Sequence, residues 1–202
     1  MNRSFLSSAL ALLTAAALLT GCGNTGSNPE ISASEESGTV SDEPSASADK
    51  QPEIGSDLTI GVRSFTAHAG DRDVPVSVEI WNNPGYAAIG MQLIYDPLLK
   101  PITTNDKSEA TEHPFAKCEL GDAADGFMKS CLVGEENHLI AFGGMTTEDL
   151  KEDGVIYTVY FNIPDDVPAG HEFTFACVMD SLNTSKKEHL SVKTVDGTLT
   201  IE

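Results

Sequence analysis

The side chains that could do chemistry in this 202-residue chain are five histidines, four cysteines and 31 carboxylates. The histidines are His68, His113, His138, His171 and His189. None of them falls in the HxxxH or HxH spacing that zinc sites use, so they predict no metal centre. The sequence also lacks a GxSxG nucleophile elbow and a P-loop. The chain is therefore not expected to be an enzyme.

The carboxylates are too evenly spread to indicate a catalytic pair. Any acidic domain could supply the two acids of a glycosidase, and most of these acids lie in turns, where Asp commonly stabilises the local backbone. Acids do cluster at Asp71 and Asp73 and again at Asp165 and Asp166. A calcium ion could bind at such clusters, but neither matches the EF-hand calcium loop. We therefore expect a solvated acidic surface and no cofactor or metal on this chain.

Three cysteines remain after Cys22, and two of them are candidates for a disulfide. Cys118 and Cys131 lie 13 positions apart, at the edges of two short segments joined by a loop. In an oxidising exterior they could staple neighbouring strands. Cys177 lies in the apolar segment 173–178, where we expect it to be a small buried side chain. The alternative is that all three cysteines stay reduced.

The charge excludes two classes of partner. The chain carries 12 Lys and Arg against 31 Asp and Glu, a formal net charge of −19. Nucleic-acid binding needs a basic footprint, and binding to an anionic membrane surface needs a polybasic segment. Neither is present. At 40% hydrophobic residues the composition is still that of a globular protein.

The N-terminal segment predicts an exported, lipid-anchored protein. Residues 1–21 combine Arg3 with an apolar stretch of signal-peptide length. The stretch ends at Leu19-Thr20-Gly21-Cys22, which resembles a bacterial lipobox; the resemblance implies cleavage before Cys22 and its lipidation. The alternative is an ordinary secretory signal. Residues 22–54 hold seven acids against Lys50 and few apolar residues, so we expect a disordered acidic tether.

Residues 55–202 have the pattern of one all-β domain. Short segments with period-2 alternation recur, as in Val74 to Ile80 and Ile89 to Tyr95, and no convincing helical period is present. Turn residues separate them, for example Asp96-Pro97 and Asp196-Gly197. Many short strands with such turns indicate an antiparallel sandwich or jelly roll.

Several motifs of this domain, taken in order, resemble those of a cohesin domain. Gly70-Asp71 precedes a Val74-Pro75-Val76 strand, and a later strand ends in Tyr95-Asp96-Pro97. Asp153-Gly154-Val155, the loop 164–170 and Asp196-Gly197 follow in the family's order. The resemblance implies a nine-stranded antiparallel sandwich with jelly-roll topology and no enzymatic activity.

The resemblance also implies a partner. Cohesins bind dockerins, small calcium-loaded helical modules on carbohydrate-degrading enzymes or scaffoldins. We therefore expect a monomeric module, lipid-anchored on the extracellular face of the bacterial cell membrane, with calcium on the dockerin. The alternative is a lipoprotein that holds polysaccharide directly. For that function Trp81, on the outward parity of its strand, would be a sugar-stacking platform, although packing beneath a loop is the plainer interpretation.

A binding face follows from strand alternation within the sheet that the resemblance indicates. That sheet would hold the strands matching 88–95, the Cys118 region, 139–145 and 155–162. Alternate side chains share a face, so one set points outward if the larger apolar residues point inward. The predicted partner-binding residues are Ala88, Gly90, Gln92, Ile94, Leu139, Ala141, Gly143, Met145, Ile156, Thr158 and Tyr160. A slip of one residue in any strand would reverse its assignment.

Overall fold

A computed structural model describes residues 54–107 and 113–202, and the fold is that of these residues. The predicted signal peptide, Cys22 and all of the predicted tether except Ile54 lie outside them. No helix within the described ranges is long and apolar enough to cross a membrane.

The described chain is almost entirely β-structure. Its strands, in order, are β1 Thr59–Val62, β2 Phe65–Ala67, β3 Val74–Trp81, β4 Tyr86–Tyr95, β5 Lys100–Pro101, β6 Thr103–Lys107, β7 Pro114–Ala116, β8 Cys118–Leu120, β9 Met128–Gly134, β10 Leu139–Leu150, β11 Gly154–Asn162, β12 Glu172–Asn183, β13 Lys193–Val195 and β14 Gly197–Ile201. Two short 3₁₀ turns, Asp122–Ala124 and Glu135–Asn137, interrupt them. The all-β prediction is confirmed.

The strands form two sheets. The larger has the order β2-β14-β12-β4-β10-β9-β7-β6, and the smaller has the order β13-β1-β3-β11-β5, with β8 also paired to β11. Most pairs are antiparallel, as predicted, but β1 with β13 and β14 with β2 are parallel. Those two parallel pairs make both sheets mixed.

Aromatic contacts join the two sheets through the core. The rings of Phe142 on β10 and Tyr157 on β11 stack with centroids 4.1 Å apart. Phe161 on β11 makes edge contacts with Tyr95 on β4 at 5.2 Å and with Phe175 on β12 at 5.4 Å. All five rings are buried. This layer fixes which side chains of β4, β10, β11 and β12 point inward.

The outward orientation predicted for Ile156 is wrong. The pairing of β11 with β3 shifts between Val155 and Tyr157, so that Ile156 is an extra residue in a β-bulge. Its side chain is fully buried, as is that of Tyr157 beside it. Strict alternation returns only after the bulge, with Val159 and Phe161 buried.

Trp81 also departs from the parity of its strand. It ends β3 directly after the buried Ile80 and is itself only 7% exposed. A sugar-stacking platform needs an exposed ring face. The plainer interpretation, in which the ring packs within the protein, fits this burial.

The turn after β3 fastens the start of the domain. Asn82 donates its side-chain amide to the carbonyl oxygens of Gly55 and Asp57, at 2.8 and 3.0 Å. The carboxylate of Asp153 accepts the backbone N–H groups of Asn82 and Asn83, at 3.0 and 2.9 Å. One turn therefore holds both the chain that enters β1 and the chain that enters β11.

The burial of Ile156 generates a stability prediction. We expect Ile156→Asp to lower the free energy of unfolding by about 4 kcal/mol or more, because it removes core contacts and buries a charge. The matched Ile94→Asp change, at a side chain 39% exposed, should cost about 1 kcal/mol. Urea denaturation of both variants measures the difference. Equal losses of unfolding free energy would contradict the burial of Ile156 in the bulge. If Ile156→Asp does not fold, Ile156→Val provides a milder variant.

Candidate partner-binding face

The outer surface of the larger sheet contains an ordered array of side chains. Its four central strands, β12, β4, β10 and β9, are paired in a register that aligns their outward residues in rows. The rows are Ala176-Ile94-Leu139-Gly134, Val178-Gln92-Ala141-Leu132, Ser181-Gly90-Gly143-Ser130 and Asn183-Ala88-Met145-Met128. Together with Asp180 we name these residues the candidate face.

The candidate face is unusually apolar. Among the described residues, five large hydrophobic side chains are exposed: Ile94, Leu98, Met128, Met145 and Val178. Four of them belong to the candidate face, with Met128 73% and Met145 55% exposed. Single exposed apolar residues are ordinary on protein surfaces, whereas several on one sheet face are typical of an interaction site.

A row of small residues crosses the middle of the candidate face. Gly90 and Gly143 are directly paired, with Ser181 and Ser130 as the outer neighbours. A Cβ added at Gly143 would meet no atom within 4 Å. We name this row the small-residue row. It leaves a shallow trough whose floor is backbone.

One charged group stands on this otherwise uncharged array. Asp180 is the extra residue of a bulge in β12, between Met179 and Ser181. The side-chain amide of Gln92 donates to both of its carboxylate oxygens at 3.3 Å. The contact orients the carboxylate beside one end of the small-residue row.

The structure divides the predicted binding residues between the two sheets. The eight on β4 and β10, from Ala88 to Met145, share the candidate face with the orientations expected. Thr158 and Tyr160 lie on β11 in the smaller sheet, and the Cys118 region forms β8 beside them. These strands and the candidate face therefore belong to different sheets. Whether the eight residues bind a partner remains a prediction.

Thr158 and Tyr160 lie among polar contacts instead. The hydroxyls of Thr158 and Ser77 hydrogen-bond at 2.8 Å. The ammonium of Lys117 lies 4.1 Å from the centroid of the Tyr160 ring and forms an ion pair with Asp73 at 2.6 Å. This part of the smaller sheet is occupied by its own side chains and offers no comparable apolar surface.

The sequence pattern did not indicate that β9 and β12 belong to the candidate face. The sequence predicted a strand around Phe173 to Val178, now part of β12, but not its place beside β4. In this segment the buried Phe175 and Cys177 alternate with the more exposed Ala176 and Val178, and this alternation indicates which side chains point outward. In β9 the alternation is short: Cys131 and Val133 are buried, and Leu132 between them is only partly buried. Neighbouring strands in an antiparallel sheet are set by long-range pairing that local alternation does not encode.

The cysteines and acids form no assembled metal centre in the described chain. Cys118, Cys131 and Cys177 are free thiols. No group of three or more His, Cys, Asp or Glu residues within residues 54–107 and 113–202 could hold a metal ion.

Comparison with known proteins identifies the fold. No protein-family model matches the sequence, and no curated protein matches it. Solved structures do. A type I cohesin–dockerin complex from Clostridium thermocellum matches with a TM-score of 0.58 at 22% identity, covering 72% of this chain and 98% of the other. A non-cellulosomal cohesin from the archaeon Archaeoglobus fulgidus matches with a TM-score of 0.58 at 18% identity, over 72% and 91%.

A third match is a type III cohesin module from a cell-surface anchoring scaffoldin of Ruminococcus flavefaciens. Its TM-score is 0.56 at 17% identity, and the match covers 72% of this chain and 88% of that one. The described domain therefore has the cohesin fold, which confirms the fold that the sequence motifs indicated. At these identities the likeness concerns the fold alone.

Two adjacent glycines test the orientation of β10. Gly143→Ala should change the free energy of unfolding by less than about 1 kcal/mol, because its Cβ enters open space. Gly144→Ala should cost about 1–3 kcal/mol, because its Cβ would lie 2.5 Å from Cδ2 of the buried Phe127. Chemical denaturation of the two variants measures the difference. If Gly143→Ala lost more unfolding free energy than Gly144→Ala, the side of β10 assigned as outward would be the wrong one.

Proposed function

We propose that this chain is a lipid-anchored cohesin module that binds a dockerin through the candidate face. The observation that carries the proposal is the gathering of Ile94, Val178, Met145 and Met128 on one sheet face of a cohesin fold. Protein interfaces have apolar cores from which charged residues are depleted. The structural relative from Clostridium thermocellum is a cohesin in complex with a dockerin.

The shape of the candidate face suits a helical partner. Side chains on one face of a strand repeat about every 6.8 Å, so the rows on either side of the small-residue row are about 14 Å apart. An α-helix with its side chains is about 10–12 Å across. A helix lying along the small-residue row would touch backbone at Gly90 and Gly143. Its flanks would pack on Met145 on one side and Val178 on the other.

The distribution of charge in the domain also supports the candidate face as the binding surface. Residues 55–202 hold 24 acids and 10 bases, a net charge of −14. Asp180 is the one ionisable group of the candidate face, and its carboxylate is exposed beside the trough. A partner with a Lys, an Arg or a helix N-terminus next to Asp180 would be complementary there. Elsewhere the acidic surface would repel anionic partners.

Calcium and the anchor complete the proposal. We place the calcium on the dockerin, with no cofactor on this monomeric chain. The Leu19-Thr20-Gly21-Cys22 sequence supports lipidation at Cys22, which would hold the module at the extracellular face of the membrane. The seven acids of residues 22–54 would keep the connecting segment solvated. Such a protein would hold dockerin-bearing enzymes or scaffoldins, as in a cellulosome-type assembly for polysaccharide degradation.

The candidate face generates a binding prediction. Immobilised protein should retain dockerin-bearing proteins from the secretome of its source organism, recognised by mass spectrometry of the eluate, and a calcium chelator should release them. With a captured dockerin as the titrant, Met145→Asp should weaken binding at least about tenfold, because it places a charge in an apolar contact. Calorimetry measures the affinity.

Leu98→Asp is the matched control. Leu98 is as exposed as Met145, at 55% each, but lies in the turn after β4. Its variant should bind within about twofold of the wild type. Equal effects of the two changes would remove the candidate face from the interaction. Retention on cellulose, starch or xylan without a protein partner would instead support the carbohydrate-binding alternative.

The anchor is tested by detergent partition. The full chain expressed in a bacterium should enter the detergent phase of a Triton X-114 separation, because acyl chains on Cys22 are apolar. Cys22→Ala should move the protein to the aqueous phase, while Cys177→Ser should not. Wild-type protein in the aqueous phase, with an unmodified N-terminus by mass spectrometry, would contradict lipidation.

A further inference from the structure

Two cysteines face each other across one edge of the sandwich. Cys118 lies on β8, opposite Val159 of the smaller sheet, and Cys131 lies on β9, opposite Phe142 of the larger sheet. Both line a pocket of about 420 Å³, together with Lys117 and Lys129. A bond between the two sulfurs would join the two sheets.

The two thiols are in different environments. Cys131 is 4% exposed, whereas Cys118 is only partly buried. The Cys131 thiol donates a hydrogen bond to Cys118, which lowers the pKa of Cys118 against the opposing effect of burial, and the Lys129 ammonium lowers it further. The same hydrogen bond and burial raise the pKa of Cys131. Cys118 is therefore the more nucleophilic thiol and the one that a reagent can reach from the pocket.

The pocket beside Cys118 is lined by Lys117, Lys129 and Glu119. The ammonium of Lys129 donates to the backbone carbonyl of Cys118. Glu119 is the opposing charge, and it also hydrogen-bonds Tyr160. Reactive cysteines occur in such partly exposed environments near a cation, while buried structural cysteines are inert.

We propose that Cys118 and Cys131 are a redox modification site that a low-molecular-weight disulfide of the glutathione class converts to a bond between the two sheets. The Cys118 thiolate attacks one sulfur of the small disulfide, forms a mixed disulfide and releases one thiolate, which takes up a proton. Cys131 then loses its proton and attacks the Cys118 sulfur, which releases the second small thiol. The protein dithiol loses two electrons and two protons, and the small disulfide becomes two thiols.

Cys177 is outside this site. It pairs with Leu93 on β4, and in the sheet order three strand spacings separate β12 from β9. Cys177 aligns with Val133, two residues from Cys131 along β9. At about 4.8 Å per strand spacing and about 6.8 Å for the two residues, the backbones of Cys177 and Cys131 are roughly 16 Å apart, more than twice the reach of a disulfide. Burial also raises the pKa of Cys177 to about 12. It serves as the internal control.

Trypsin provides a direct readout of the bond. Cleavage after Lys117, Lys129 and Lys151 places Cys118 on peptide 118–129 and Cys131 on peptide 130–151. The folded full-length chain is incubated with oxidised glutathione, its remaining thiols are alkylated, and it is digested without reductant. We expect these two peptides to be linked, to separate on reduction, and Cys177 to be alkylated. Alkylation of both Cys118 and Cys131, or a link to Cys177, would overturn the proposal.

Single variants test the order of attack. Cys131→Ser should accumulate the glutathione mixed disulfide on Cys118, because nothing resolves it. Cys118→Ser should leave Cys131 at least about tenfold less modified under the same conditions. Cys177→Ser should behave as the wild type. The reverse pattern, with the adduct on Cys131, would overturn the assignment of Cys118 as the attacking thiol.

One measurement needs no variant. The oxidised wild type should melt roughly 5 °C or more above the reduced protein, because the bond closes the 118–131 loop and joins both sheets. An unchanged or lower melting temperature, with the linked peptides present, would overturn the claim that the bond fits the native edge. The test does not depend on partner binding, so its failure and that of the proposed function are distinguishable.

Discussion

The contacts between aromatic rings across the two sheets determine the rest of this domain. Phe142 stacks on Tyr157, and Phe161 lies against Tyr95 and Phe175. One inward residue on each of β4, β10 and β12, and two on β11, are therefore fixed by a ring in the opposite sheet. Because side chains alternate, the outward residues of those strands are fixed as well. The small-residue row and the apolar side chains around it are the residues that this packing directs outward. The candidate face and the core are thus two results of a single register.

Local patterns in the sequence predicted the strands but not their neighbours. The alternation of Ile89, Met91, Leu93 and Tyr95 predicted both the strand and its orientation correctly, because β4 itself has no extra residue and the irregular residues of its pairings lie in β10 and β12. In β11 the same reasoning failed at Ile156, where a bulge adds one residue and places two consecutive side chains in the core. A bulge has no signature in period-2 alternation alone. The placing of β11 opposite the predicted face, and of β9 and β12 within it, depends on pairings between distant segments.

The motifs that indicated the cohesin fold also explain its local structure. Asp153 precedes β11, and its carboxylate accepts two backbone N–H groups from the turn after β3. The Asp-Gly sequence therefore connects the start of β11 to the end of β3. Two of the clustered acids form ion pairs: Arg72 pairs with Asp165, and Lys117 with Asp73. Much of the charge of the domain lies in such turns and edges. The surface left without charge is the face that the sheet pairing assembles.

The fastening of the first strand has a mechanical consequence. The side-chain amide of Asn82 hydrogen-bonds the chain just before β1. In the smaller sheet β1 lies between β3 and β13, while the candidate face belongs to the larger sheet. A pulling force along the axis of β1 would act on a strand that is paired on both sides. The hydrogen bonds of β1 run across that axis to neighbours on both sides, so they would share the force in shear rather than break one after another.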